Sequence, residues 1–192
     1  MLRETVRKNI IEIATAIFKK YGFKKTTMDD IAMAANKGKS SIYYYFKSKE
    51  EVYQAVVEKE AEDFLAILKD SIQENQTPVQ NVRNYVETRM GQFMKFENLF
   101  EALKREYLAN MVFITEFRKK YEETEIVTFK KILEEGIAQK HFQIYDVNLA
   151  ALAITTAMKG MEEPIFLNRN AEQVKSSIDD LINILLYGIV RR

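Results

Sequence analysis

Cysteine is absent from the 192 residues, which excludes disulfides, thiol catalysis and cysteine-based zinc sites. A single histidine, His141, cannot supply the pair that a histidine metal site needs. It precedes Phe142 at an expected helix end, where it reads as a cap or surface residue, and no Ser-His-acid arrangement stands out around it. No apolar run approaches the ~20 residues that span a bilayer. The start, Met-Leu-Arg-Glu-Thr-Val-Arg-Lys, lacks the apolar core and small residues of a secretory signal. A cytoplasmic location is therefore expected, without membrane association. Phosphate loops, dinucleotide motifs and strand-like alternation are missing too. These absences predict no enzyme, cofactor or metal.

What is present is a chain that is 47% hydrophobic and 30% charged, enough for a packed core rather than disorder. Its net charge of +1 hides an asymmetry. Residues 1–50 hold 11 Lys/Arg against 5 Asp/Glu, a surplus of +6, and residues 51–192 hold 18 against 23, a deficit of −5. A basic module on an acidic body is a charge footprint of nucleic-acid binding.

Helical periodicity runs throughout. Val6, Ile10, Ile13, Ala14, Ile17, Phe18 and Tyr21 form one stripe, and Gly22 suits the cap that ends it. Thr27 and Asp30 have the spacing of a capping box opening a helix over about 28–35. Asn36-Lys37-Gly38 breaks that helix, and a second short one follows from Lys39 to Phe46 with Ile42 and Phe46 inward. Ser48 and Glu51 open a long helix to about Gln73. Thr77, Pro78 and Gln80 start the next, to about Phe96. Helices near 97–112 and 115–139 follow. Asp146 caps one that ends by Pro164, and Asn170 with Gln173 starts the last, to about 190. The sum is nine helices with short loops, an all-α fold.

Residues 26–51 carry the chemistry. A short helix, a tight turn and a second short helix form a helix-turn-helix, in which the first helix braces the second against the major groove. Lys39, Ser40 and Ser41 supply cations and hydroxyls at the start of the second helix, where the macrodipole also favours phosphate. Tyr43 and Tyr44 offer a ring for a thymine methyl and a hydroxyl for phosphate. Three successive tyrosines cannot share one helix face, so they are not all core. Lys49 is placed to clamp the DNA backbone, and Thr27 to give a phosphate its hydroxyl and backbone N–H.

With their surroundings, these residues resemble the TetR family of bacterial transcriptional repressors. The resemblance rests on Thr26-Thr27, on Asp30-Ile31-Ala32 followed by Ala35, and on Tyr43-Tyr44-Tyr45-Phe46-Lys47-Ser48-Lys49-Glu50. It covers residues 5–60 closely and the remainder by length and helical character. It implies DNA contacts at Thr27, Lys39, Tyr43, Tyr44 and Lys49. The turn departs from the family pattern, since Lys37 stands where a small apolar residue is usual. Lys37 is therefore an added candidate for phosphate.

The resemblance also implies a division into a DNA-binding domain over 1–50 and an effector-binding, dimerisation domain over 51–192. The expected partners are a palindromic double-stranded operator, a small apolar or aromatic effector, and a second copy joined through the two C-terminal helices. Met90, Phe93, Met94, Tyr107, Met111, Phe117, Tyr121 and Met158 are candidate walls of the effector pocket, since methionine and aromatics make adaptable apolar surfaces. The same residues suit ordinary core. Glu122, Glu123 and Glu125 read as a solvated face, and Glu162 and Glu163 as solvated helix-end charges. The rival reading is a helical small-molecule-binding or adaptor protein of the same fold that has lost specific DNA binding.

Overall fold

A computed structural model describes residues 2–92, 95–104, 112–167 and 170–188. The described residues form nine helices and no strand: α1 (Leu2–Lys25), α2 (Met28–Ala34), α3 (Lys39–Tyr45), α4 (Lys49–Asp70), α5 (Pro78–Gln92), α6 (Glu97–Lys104), α7 (Val112–Ala138), α8 (Val147–Leu167) and α9 (Ala171–Tyr187). None is long and apolar enough to cross a membrane. By compactness the chain divides into two units, Met1–Asp63 with Phe96–Ile114, and Phe64–Lys95 with Thr115–Arg192. Helix α4 contributes its first part to one and its last turns to the other.

In the first unit, α1 packs on α2 and α6, and α2 packs on α3. Ile10, Ala14, Phe18, Ile31, Ile42, Phe46, Val52 and Val56 fill its core. The Gly22 backbone sits at φ 75°, a conformation that glycine adopts without strain, and kinks α1 there. Tyr21 lies on the expected stripe yet is 52% exposed. Beyond the kink, Phe23 takes its place, stacking on Phe18 at 6.0 Å and meeting the Tyr53 ring at a tilt at 4.9 Å. The Thr27–Asp30 box closes: Asp30 N donates to Thr27 Oγ1 (3.2 Å) and Thr27 N to Asp30 Oδ2 (2.8 Å). Ser48 Oγ accepts from Glu51 N at 3.2 Å, while the Glu51 carboxylate reaches one residue further back than expected, to Lys47 N at 2.6 Å.

A polar joint ties α6 into this unit. Both Glu60 oxygens accept, one from Asn98 Nδ2 (2.7 Å) and one from Leu99 N (2.8 Å). Asn98 Nδ2 also donates to Thr15 O, and Tyr53 Oη to Asn98 O. Burial is the largest influence on Glu60 and pushes its carboxyl above the ordinary value, with these hydrogen bonds pulling the other way.

In the second unit, α5 packs on α8 and α9, which pack on each other. Val82, Val86, Met90, Phe129, Ile132, Ile154, Met158 and Ile182 are buried there. Thr77, Asp146 and Asn170 cap α5, α8 and α9 through their side-chain oxygens. Helix α8 does not stop before Pro164 but runs to Leu167. The proline falls in the last turn, where its missing N–H removes a single hydrogen bond. After α7, Phe142 folds back over Gly136, and a Cβ there would intrude on the ring. His141 N donates to Gly136 O at 2.7 Å, and the His141 side chain is exposed.

Candidate nucleic-acid interface

Helix α3 has seven residues, and only Ile42 among them is buried. The helix is thus anchored by Ile42 and, at its C-cap, by buried Phe46. Lys39, Ser40, Tyr43 and Tyr44 are exposed, while Ser41 and Tyr45 are half-buried. The three tyrosines divide as the helical period requires: Tyr44 is 62% exposed and meets the Tyr45 ring edge-on at 5.1 Å. A row of cation, hydroxyls and rings on an otherwise unburied helix can hydrogen-bond phosphates and base edges.

The flanking candidates are engaged within the head. Lys39 Nζ meets both Asp29 oxygens, at 2.9 and 3.0 Å, so the Asp29 hydrogen bond raises the lysine's proton affinity. Thr27 Oγ1 donates to Asp30 Oδ2 at 2.7 Å, which helps hold the Asp30 carboxyl below its ordinary range. Lys49 Nζ donates to Phe23 O at 2.9 Å and lies 4.3 Å from the Phe23 ring centroid. Lys37 is half-buried in the turn, its backbone N donating to Ala32 O at 3.0 Å.

Two residues that sequence reasoning passed over join this face. The Arg3 guanidinium lies 4.9 Å over the Tyr44 ring, and that of Arg7 4.9 Å over Phe46. Their spacing of four on α1 was a usable signal. Only the packing of α1 brings them to the reading helix.

The pocket candidates fare differently. Met90, Tyr121 and Met158 are buried in the second unit and Phe117 is half-buried, stacked on Tyr121 at 5.9 Å. Phe93, Met94, Tyr107 and Met111 lie outside the described residues. The larger finding is polar. Glu125, expected on a solvated face, is wholly buried. Arg89 holds it through Nε at 2.6 Å and through one terminal nitrogen at 3.2 Å. That same nitrogen reaches Glu162 at 2.8 Å, and Tyr85 Oη donates to Glu125 at 3.2 Å. Glu162 is thus half-buried and paired rather than a free helix-end charge. Burial opposes the charge of Arg89, but the carboxylates of Glu125 and Glu162 outweigh it and hold the guanidinium firmly protonated. Burial likewise raises the Tyr85 and Tyr121 hydroxyls. Among the described residues, the buried Tyr121 and Thr155 hydroxyls have no hydrogen-bond partner, and no group of three potential ligands could hold a metal.

Comparison with known proteins bears on the head first. Residues 10–56 match the family model of bacterial regulatory proteins, tetR family. The chain is 28% identical over 138 residues to the HTH-type transcriptional regulator YfiR of Bacillus subtilis, across 70% of this chain and 66% of that one. It is 36% identical over 100 residues to IcaR of Staphylococcus aureus, the negative transcriptional regulator of the biofilm operon icaADBC, across 52% and 49%. The matched stretch thus spans less than two-thirds of either relative. The fold is shared with the regulator FadR of Bacillus subtilis, solved in complex with stearoyl-CoA, at TM-score 0.74 and 21% identity over 95% of this chain and 99% of that one.

Proposed function

Since the chain belongs to the TetR family of bacterial transcriptional regulators, we propose that it is a ligand-responsive repressor that reads a palindromic operator as a homodimer in the cytoplasm. The observation that carries this reading is α3, which buries Ile42 alone and leaves Lys39, Ser40, Tyr43 and Tyr44 to solvent. Residues 1–50 form the DNA-binding domain and residues 51–192 serve effector binding and dimerisation. Thr27, Lys37, Ser41 and Lys49 flank the contact row, and Arg3 extends it. Lys49 gives one donor to the Phe23 carbonyl and has two left for a phosphate.

Exposed Leu149 and Leu152 on α8 and Ile184 and Tyr187 on α9 support a dimer through these two helices. A two-fold reader needs two heads, one for each half-site. The effector reading rests on Met90, Phe117, Tyr121 and Met158, an apolar and aromatic lining. The ligand of the FadR neighbour makes long-chain acyl thioesters the first compounds to try. Helix α4 is the covalent element through which ligand and DNA would be coupled, and by linkage each weakens the other by one factor. The relatives are named as transcriptional regulators, and this reading assigns no residue to catalysis.

The test is a selection from random duplex DNA against the full-length protein, followed by binding of the enriched sequence. Tyr43→Ala and Lys39→Ala should each weaken that binding, with thermal unfolding unchanged. Equal binding by both variants would place the DNA surface elsewhere. A folded protein that enriches nothing at low salt would instead favour a small-molecule-binding or adaptor role.

A further inference from the structure

The first turn of α2 carries two adjacent carboxylates that do different work. Asp30 caps its own helix, accepting from the backbone and the hydroxyl of Thr27. Asp29 takes no part in that box. Both of its oxygens meet the ammonium of Lys39, ten residues away on α3, so the pair is a tertiary bridge between bracing and reading helices. Lys39 is 58% and Asp29 64% exposed, so the pair stands in solvent on the face proposed to meet DNA.

A carboxylate on such a face has a cost. It repels phosphate and occupies a cation that would otherwise release counterions from any duplex. An ammonium has three donors. One is directed at Asp29, and the direction of the other two is set by the bridge rather than by a free four-carbon stem.

Resting on the DNA-binding reading above, we propose that Asp29 is a specificity-determining residue. It withholds Lys39 from indiscriminate phosphate pairing and aims a remaining N–H at a base-edge acceptor. A non-cognate duplex then meets a head with one effective cation fewer. A cognate one, held in register by the other contacts, presents an acceptor such as guanine O6 or N7 to a donor already positioned.

The experiment measures binding of the full chain to a scrambled duplex and to the duplex enriched by selection, across a salt series. Asp29→Asn, Lys39→Ala and the double variant are compared with the parent. Asp29→Asn should bind the scrambled duplex about two- to fivefold more tightly, the size of an exposed ion pair. Its plot of log affinity against log salt should steepen by about 0.9, one phosphate contact. The enriched duplex should gain less, so discrimination falls. In the Lys39→Ala background the same substitution should leave the slope alone.

An unchanged slope for Asp29→Asn overturns the proposal. So does an equal change without Lys39, which would make Asp29 only a repelling charge. Both results leave salt-dependent DNA binding by the parent intact. If the folded parent binds neither duplex at low salt, the DNA-binding reading itself fails and this proposal fails with it. Asp29→Ser serves as the second variant should the asparagine form unfold.

Discussion

The two compact units use the same interaction to opposite ends. In the head, Lys39 and Asp29 form an ion pair with side chains 58% and 64% exposed. In the second unit, Arg89 and Glu125 form one with side chains 2% and 1% exposed. Water and salt screen the first, so it contributes little to folding and leaves the lysine's other donors open to solvent. The second has lost its water. Neither charge can leave without stranding the other, so the pair fixes α5 against α7 and, through Glu162, against α8. Charge at the surface is available for recognition, whereas charge in the core is committed to structure.

The sharpest way to break that contrast is to remove the buried cation. Arg89→Met leaves Glu125 and Glu162 without a counter-charge and should cost about 3–5 kcal/mol in denaturant unfolding. Arg89→Met combined with Glu125→Leu should recover part of the loss, since no unpaired charge is left at Glu125. A loss no greater than that of an exposed lysine variant would mean that the network is not desolvated in solution. Next in size is Gly136→Ala. The added methyl must displace the Phe142 ring, and a penalty of about 1–3 kcal/mol is expected by thermal unfolding.

Lys49→Met probes the middle ground between exchangeable and committed charge. Its ammonium is part-buried on the Phe23 carbonyl, and losing that hydrogen bond should lower stability by about 0.5–1.5 kcal/mol. If the salt slope of DNA binding stays unchanged while stability drops, Lys49 anchors the head and contacts no phosphate. The smallest effect is the pH dependence set by Glu60. Its carboxyl is raised above the ordinary 4.5, mainly by burial. The folded state therefore holds this proton more tightly than the unfolded chain does. The stability it contributes is complete below pH 4.5 and is lost as pH rises through the raised value. Urea midpoints for the parent and Glu60→Gln should diverge with pH in that sense, and parallel profiles would dismiss the effect.

Much of the head is legible in the residues themselves because its signals are local. A capping box needs partners three residues apart, and Thr27 with Asp30 supplies them. The Ile42–Phe46 spacing places one side of α3 inward, which leaves Tyr43 and Tyr44 outward by helical period alone. The errors lie where long-range packing overrides the period. Tyr21 sits on the right stripe but at the kink, where Phe23 displaces it. Glu125 stands among glutamates that resemble a wet face, and nothing nearby in the chain announces Arg89, 36 residues away.

The capped helix starts and the exposed row on α3 were thus set by the sequence itself, since backbone capping and a 3.6-residue period act within one or two turns. Tertiary structure alone decided which charges would be spent. It set Lys39 against Asp29 in solvent, laid Arg3 over Tyr44, buried Glu125 on Arg89 and drew Glu162 to the same guanidinium. The strength of a charge interaction depends on how much water surrounds the pair, and no stretch of chain specifies that until distant helices have packed around it.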